Sequence, residues 1–321
     1  MANSWKHVSE IRNDTLNYII KRKNGEIKSF KTPWKKLNNV LLGGLERGGV
    51  FTFCARPGNA KTTIINQITN YGKENNPDQD FAVLHFQFEM TDRAIGTREL
   101  TKPIGLSMGE LYSVENFPIL SDESVKRIES FHKSRENDNI YFVTHSTTVN
   151  RMVKEVEAFH DFIKKPFIVT IDHSVLIKKD ADENGQLETL YKLSDALIYL
   201  KKKFPDTIYL VVSQMNREIE KPERRENGKI GNFPGSTDIF AGDALQQCSD
   251  AVFCINRPEL LNITQYGPDK ITVTPGMIVF HTIKNRYGTL DILFFEQNLK
   301  YFEINEAPIP TAATRILNTR I

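Results

Sequence analysis

The chain has 321 residues, with 42 Lys and Arg against 40 Asp and Glu, a formal net charge of +2. Its hydrophobic fraction of 40% suffices for a real core, in one large domain or two small ones. So even a charge balance excludes a polycation that coats nucleic acid along its length; any such contact must be a local feature.

Taken in order, residues 3–23 carry Trp5, Val8, Ile11, Leu16, Ile19 and Ile20 at roughly helical spacing, and this helix is expected to stop near Asn24-Gly25. Residues 1–36 hold nine Lys/Arg against three Asp/Glu. That segment is either a helix packed on its own domain or a basic arm that docks on a neighbour. Thr32-Pro33-Trp34 breaks the chain, so the expected division is a linker helix over 1–31, one globular domain over 32–305, and a loose tail over 306–321.

A short helix is predicted within 34–49, then strands over 50–54, 81–88, 140–143, 167–171, 207–212 and 251–255. Helical segments over 91–115, 122–136, 147–164 and 187–203 alternate with them, which predicts parallel βαβ units and an α/β fold. Residues 217–243, with four glycines and two prolines, read as too polar to pack and too long for an ordinary connection. Residues 277–304 read as β-hairpins, an antiparallel extension of the sheet. Cys54, Cys248 and Cys254 show no CxxC spacing, which predicts buried thiols in a reducing compartment. The scattered histidines argue against zinc. The chain also lacks an apolar run of the ~18 residues a membrane span needs and an apolar segment near its polar start, so a cytoplasmic protein with no membrane partner is expected.

The chemistry concentrates in Val50–Asn66, where an apolar strand, a turn at Pro57-Gly58 and an amphipathic helix opened by Lys61-Thr62-Thr63 follow one another. This is the setting of a phosphate loop, in which backbone N–H groups and a helix N-terminus receive an anion. Ala55, Arg56, Pro57, Gly58, Asn59, Ala60, Lys61, Thr62 and Thr63 are the candidate nucleotide-binding residues. Lys61 suits the β- and γ-phosphates of ATP, and Thr62 suits Mg²⁺. Both glycines of the GxxxxGK[ST] pattern are alanine here, Ala55 and Ala60.

Three further residues end predicted strands. Asp172 is the candidate second Mg²⁺ ligand, Glu89 the candidate base for an attacking water, and Gln214 a candidate γ-phosphate sensor. In a parallel sheet all of them emerge at the edge that carries the phosphate loop. Lys284 and Arg286 lie two apart on the predicted turn Ile283–Gly288, as an exposed cation pair able to serve a neighbouring subunit's site.

Together these motifs resemble the DnaB-type replicative helicases, in their RecA-like motor domain, from about Ile19 to Ile304. The similar segments are Thr32-Pro33-Trp34 with Gly43-Gly44-Leu45, the loop ARPGNAKT, Phe88-Glu89-Met90, Ile171-Asp172, Ser213–Arg217, Asp238–Asp250 with Arg257, and Lys284-Asn285-Arg286 with Gly288. The resemblance implies a RecA-like P-loop fold with an N-terminal linker helix and C-terminal hairpins. It implies a homo-oligomeric ring, usually a hexamer, with ATP and Mg²⁺ between subunits and single-stranded DNA in the channel. Glu89, Lys61, Gln214, Lys284 and Arg286 would be catalytic. Arg217, Arg224, Arg225, Lys229, Phe240 and Gly242 would face DNA. A primase or a loader would be a further partner.

Three departures accompany the resemblance. Ala60 stands where that family keeps a glycine, which is expected to slow hydrolysis. The family's N-terminal collar domain has no counterpart, and a lone motor domain would fit a phage or mobile element. Phe240 and Ala241 replace a basic and an acidic DNA contact. Two other readings stay open: a recombinase-like or accessory DNA-dependent ATPase without unwinding, and a weakly hydrolysing scaffold or helicase loader.

Overall fold

The computed structural model describes residues 5–308 apart from residue 182, so residues 309–321 of the expected tail lie outside the described residues. Helix α1 (Val8–Lys23) is capped by His7 and Glu10, each bonding the other's backbone. None of its residues is buried. Tyr18 and Arg22 hold its C-terminal half to the domain through Glu46, with Arg22 at 3.0 Å, while Val8, Ile11, Leu16 and Ile19 stay exposed. The helix thus meets its own domain through these polar contacts while its apolar residues stay exposed.

The domain opens with α2 (Lys35–Val40). Then come β1 (Val50–Ala55), α3 (Lys61–Thr69), α4 (Gly72–Asn75) and β2 (Ala82–Gln87). The predicted helix over 91–115 breaks in two, α5 (Asp92–Ile104) and α6 (Met108–Leu111), because Gly105 takes a left-handed φ of 72° that ends the first. There follow α7 (Asp122–Arg135), β3 (Ile140–Val143), α8 (Val149–Ile163), β4 (Phe167–Asp172), α9 (Gln186–Lys203) and β5 (Ile208–Gln214). The chain closes with α10 (Gly242–Cys248), β6 (Ala251–Asn256), a small hairpin of β7 (Gln265–Tyr266) and β8 (Ile271–Thr272), then β9 (Met277–Asn285), β10 (Ile292–Asn298) and β11 (Glu303–Glu306).

Among the described residues nine strands form one sheet in the order β11-β10-β9-β6-β1-β5-β4-β2-β3. From β6 to β3 neighbours run parallel, and β9, β10 and β11 extend the sheet antiparallel. Strand alternation sorts the core into two layers. Phe51, Phe53 and Ala55 of β1 face α3 and its Ile64, Ile65 and Ile68. Tyr209 and Val211 of β5 and Val169 and Ile171 of β4 face α8 and α9 on the other side. The last strand is sewn to the phosphate-loop helix: the Gln67 side chain donates to the Ile304 carbonyl (2.7 Å) and accepts from its N–H (2.8 Å). Trp34 Nε1 donates to the same carbonyl at 2.9 Å.

Residues 217–243 correct the sequence expectation, because they pack. Their inward polar groups, Asn232 and Asp238 above all, find partners within the segment. Arg224 grips buried Asp238 (2.9 Å), and buried Asn232 donates to the carbonyls of Arg224 (2.8 Å) and Glu226 (2.9 Å). The segment is pinched at its base by a Met215–Ile239 bridge and by Asn216 N–H donating to the Asp238 carbonyl at 2.7 Å.

The Gln67 clamp can be tested directly. Gln67→Leu strands two buried backbone groups of Ile304, of which the carbonyl keeps Trp34. The expected loss is about 2 kcal/mol of unfolding free energy, read by urea denaturation. A loss under about 0.5 kcal/mol, the usual size of a surface substitution, would show that β11 does not depend on this clamp.

Candidate active site

The phosphate loop leaves the buried end of β1 and turns back into α3. Its surroundings follow from the strand order, since β5, β4 and β2 follow β1 and end at the same edge. The register sets Ala55 beside Gln214 and Gln87 beside Asp172. Around this edge opens a cleft of about 800 Å³, lined on the loop side by Pro57, Gly58, Ala60, Lys61, Thr62 and Thr63. Glu89 and Gln214 face it from the strand ends. The sequence reading thus named residues that meet at one cleft.

Lys61 folds over its own loop, its Nζ donating to the carbonyls of Ala55 (3.2 Å) and Arg56 (3.1 Å). Burial lowers its pKa, and the charges of Asp172 and Glu89 work against that. Asp172 is buried, 3% exposed. Burial raises its pKa, opposed by the Thr62 hydroxyl and the Gln87 amide beside it. Gln87 donates to Oδ2 at 3.1 Å, but Oδ1 has no hydrogen-bond partner. A buried carboxylate oxygen without a partner, next to a threonine hydroxyl, fits a hard divalent cation such as Mg²⁺ that takes one carboxylate, one hydroxyl and substrate phosphates.

Not every candidate lines the cleft. Ala55 is sealed in the core, where its carbonyl also accepts from Met215 N–H (3.2 Å). Asn59 is buried and donates to the carbonyls of Arg56 and Pro57, both at 3.3 Å. Arg56 turns away, its guanidinium paired with Glu220 (2.7 Å).

Residues that the sequence reading did not assign to the site also border the cleft, among them Arg98, His173, Leu299 and Phe302. Arg98, on α5, sits over the Phe302 ring at 4.6 Å. Burial lowers its pKa while Glu89 and Asp172 oppose the shift. Burial likewise lowers that of His173. Arg257 at the end of β6 braces the loop from outside, donating to the Gly58 carbonyl at 2.7 Å.

Lys284 and Arg286 lie elsewhere. β9 runs antiparallel to β6, so the turn after it comes out at the opposite edge of the sheet from the phosphate loop. Five strand steps at about 3.3 Å each separate the two edges, on the order of 17 Å. Arg286 is exposed as the sequence suggested, but Lys284 is less so. Lys284 is half-buried and bonded to the Gln246 carbonyl, because β9 stays paired through Asn285. Arg286 pairs with buried Asp250 at 3.4 Å, and Asp250 also holds Lys201 at 2.9 Å.

The candidate DNA-facing residues divide. Arg217, Arg225, Lys229 and Phe240 are exposed. Arg224 is committed to Asp238. Gly242 opens α10 where an added Cβ would lie 3.1 Å from Ile239 Cβ and the Ser236 carbonyl, so its smallness serves packing.

The family model for the DnaB-like helicase C-terminal domain matches residues 29–304. The chain belongs to this family. A curated relative, the replicative DNA helicase DnaB of Mycoplasma genitalium, is 25% identical over 253 residues, 77% of this chain and 51% of that protein. The chain therefore spans about half the length of that relative. A solved ATPase domain superposes with a TM-score of 0.75 at 15% identity, covering 92% of this chain and 98% of that one. A DnaB-like replicative helicase, solved in a study of its interactions with primase, superposes with a TM-score of 0.73 at 15% identity, covering 95% of this chain and 68% of that one. The RecA-like α/β fold of this DnaB-like domain is thus shared with both. Among the described residues no helix is long and apolar enough to cross a membrane.

Against that family, Ala60 is the telling residue. It caps α3 with φ 58° and ψ 24°, the left-handed region that glycine enters freely and an L-residue enters at about 1 kcal/mol or more. The loop keeps the backbone shape a glycine would take, with a methyl on it.

Ala60→Gly removes the strain and the methyl and is expected to raise steady-state ATP turnover; an unchanged or lower rate would show that Ala60 does not limit the site. For Asp172 the folded pKa lies above the unfolded one, so its contribution to stability is fully present below the unfolded pKa and is lost as pH rises through the folded pKa. At neutral pH, Asp172→Asn should therefore stabilise the ligand-free protein by a few degrees, about 2 °C per kcal/mol for a chain this long. It should also abolish the thermal shift given by Mg²⁺-ATP. A destabilised Asn variant that still shows the full shift would contradict both halves.

Proposed function

We propose that this DnaB-like domain is an ATP-driven motor that assembles as a ring, a hexamer as in the family it resembles, and translocates on single-stranded DNA as a replicative helicase. One observation carries the reading. Lys61, Thr62, Glu89 and Gln214 line one cleft, with Asp172 buried directly behind it beside Thr62, whereas Lys284 and Arg286 sit at the far edge of the same sheet. Their cations are too far to reach a nucleotide on their own loop. That position supports a role in completing a neighbour's site.

In this mechanism Lys61 leaves the carbonyls of Ala55 and Arg56 for the β- and γ-phosphates. Glu89 orients a water in line with the γ-phosphorus and takes its proton. Gln214 bonds the γ-phosphate, and its own carbonyl accepts from Phe240 N–H (3.0 Å), a direct link to the DNA-facing segment. Thr62 and Asp172 would hold Mg²⁺, which would supply charge neutralisation on the phosphates. The neighbour's Lys284 and Arg286 balance the charge that develops in the transition state. The exposed apolar side of α1 fits a linker helix seated on the adjacent subunit, and a loader or a primase is the expected partner outside the ring.

A second reading has a specific observation in its favour. The left-handed Ala60 fits a nucleotide-binding scaffold or loader that assembles with ATP and barely hydrolyses it.

Steady-state hydrolysis with and without single-stranded DNA, with Lys61→Ala as the blank, tests the motor. Turnover should rise with single-stranded but not duplex DNA; turnover at the blank's level, with ATP still bound, transfers the conclusion to the scaffold. Arg286→Ala should cut turnover by roughly 10³-fold or more. Mixing it with Lys61→Ala subunits should restore part of the rate, since an intact loop can then meet an intact finger. A mixture no more active than its components would refute action between subunits.

A further inference from the structure

Arg56 belongs to the phosphate loop by sequence but does not face the cleft. Its guanidinium makes a fork-like pair with Glu220, Nε to Oε1 at 2.7 Å and Nη2 to Oε2 at 3.3 Å, and its Nη1 donates to the Met215 carbonyl at 3.1 Å. Both side chains are largely shielded, 17% and 32% exposed. Charge-assisted two-point pairs of this kind fix direction as well as distance.

Glu220 ends the turn Arg217–Glu220 that opens the polar segment. That turn is anchored by Ile219, buried against Cys54, Met215, Ile239 and Cys254. The Glu220 carbonyl accepts from Arg225 Nε, so the exposed arginine next along the segment bears on the same residue. The rest of the segment is tied to that turn, because Arg224 grips Asp238 and the base is closed by the Met215–Ile239 bridge. On the other side, the Arg56 carbonyl is one of the two acceptors that hold Lys61 Nζ.

We infer that the Glu220–Arg56 pair is a coupling strut, by which occupancy of the polar segment sets how readily Lys61 is released to the phosphates. Glu220 is a positioning residue in this scheme. It touches neither nucleotide nor reacting atoms. The inference rests on the reading that the segment meets single-stranded DNA, and adds a route that does not pass through Gln214. Coupling is reciprocal, so the same strut makes nucleotide binding alter DNA affinity.

The test is Glu220→Gln in the full chain, with oligothymidylate as the DNA probe. The basal ATP turnover and the unfolding midpoint should stay near wild type. The stimulation of turnover by oligothymidylate should fall about tenfold, as should the effect of a non-hydrolysable ATP analogue on oligothymidylate affinity. The reversed pair, Arg56→Glu with Glu220→Arg, should recover part of both effects relative to Arg56→Glu alone, an outcome a purely structural role would not give. A wild-type protein that oligothymidylate does not stimulate overturns the motor and the strut together. A stimulated wild type with an equally stimulated Glu220→Gln variant overturns the strut alone.

Discussion

The buried carboxylate of Asp172 is the constraint around which the rest of the domain is arranged. A charge removed from water is costly unless paired or bonded. Here one oxygen is bonded to Gln87 and the other has no partner. Gln87 can reach it because β2 and β4 are adjacent and parallel, with Gln87 and Asp172 opposite each other. Thr62 and Lys61 come from α3, whose apolar face is fixed on β1 by Ile64, Ile65 and Ile68. The site is therefore a consequence of strand order and of helix burial, and the residual electrostatic deficit favours whatever brings positive charge to that oxygen.

Ala60 shows the same logic in the backbone. A phosphate loop needs a sharp reversal just before its helix, and the local geometry here demands left-handed φ. The chain holds an alanine in that shape because the loop is braced on both flanks, by Arg257 on the Gly58 carbonyl and by Arg56 on Glu220 and Met215. Strain of this kind persists only where its surroundings over-determine the conformation. The two braces come from β6 and from the segment after β5, the neighbours of β1 on either side. The strained residue is thus tied to the elements that flank its own strand on both sides.

Much of the fold was legible because strands and helices announce themselves by period. Runs such as Phe167–Asp172 are apolar on both faces, as parallel strands buried between helix layers must be. Glu89, Asp172 and Gln214 were legible because a polar residue closing an apolar run has to emerge at a sheet edge. Arg98 and Phe302 were not, since what makes them cleft residues is the packing of α5 and of the β10–β11 turn across the site. The polar segment misled for a related reason. Composition says how much apolar surface is available, but Arg224 and Asp238 meet across fourteen positions, and no local pattern encodes that pairing.

The protomer is unfinished in two places, and the two are physically distinct. One is electrostatic: Arg286 and Lys284 are held on Asp250 and the Gln246 carbonyl, about a strand's length from the phosphate loop. The other is apolar. A sixteen-residue helix such as α1 is marginal alone, and proteins normally stabilise such helices by burying one face. Yet Val8, Ile11, Leu16, Ile19 and Ile20 are all about half exposed, while the contacts through Tyr18 and Arg22 to Glu46 fix only the helix's exit from the domain. In the ring we propose, a second copy that covers α1 is brought against the domain in a defined orientation, and closure of the ring repeats that orientation at every phosphate loop.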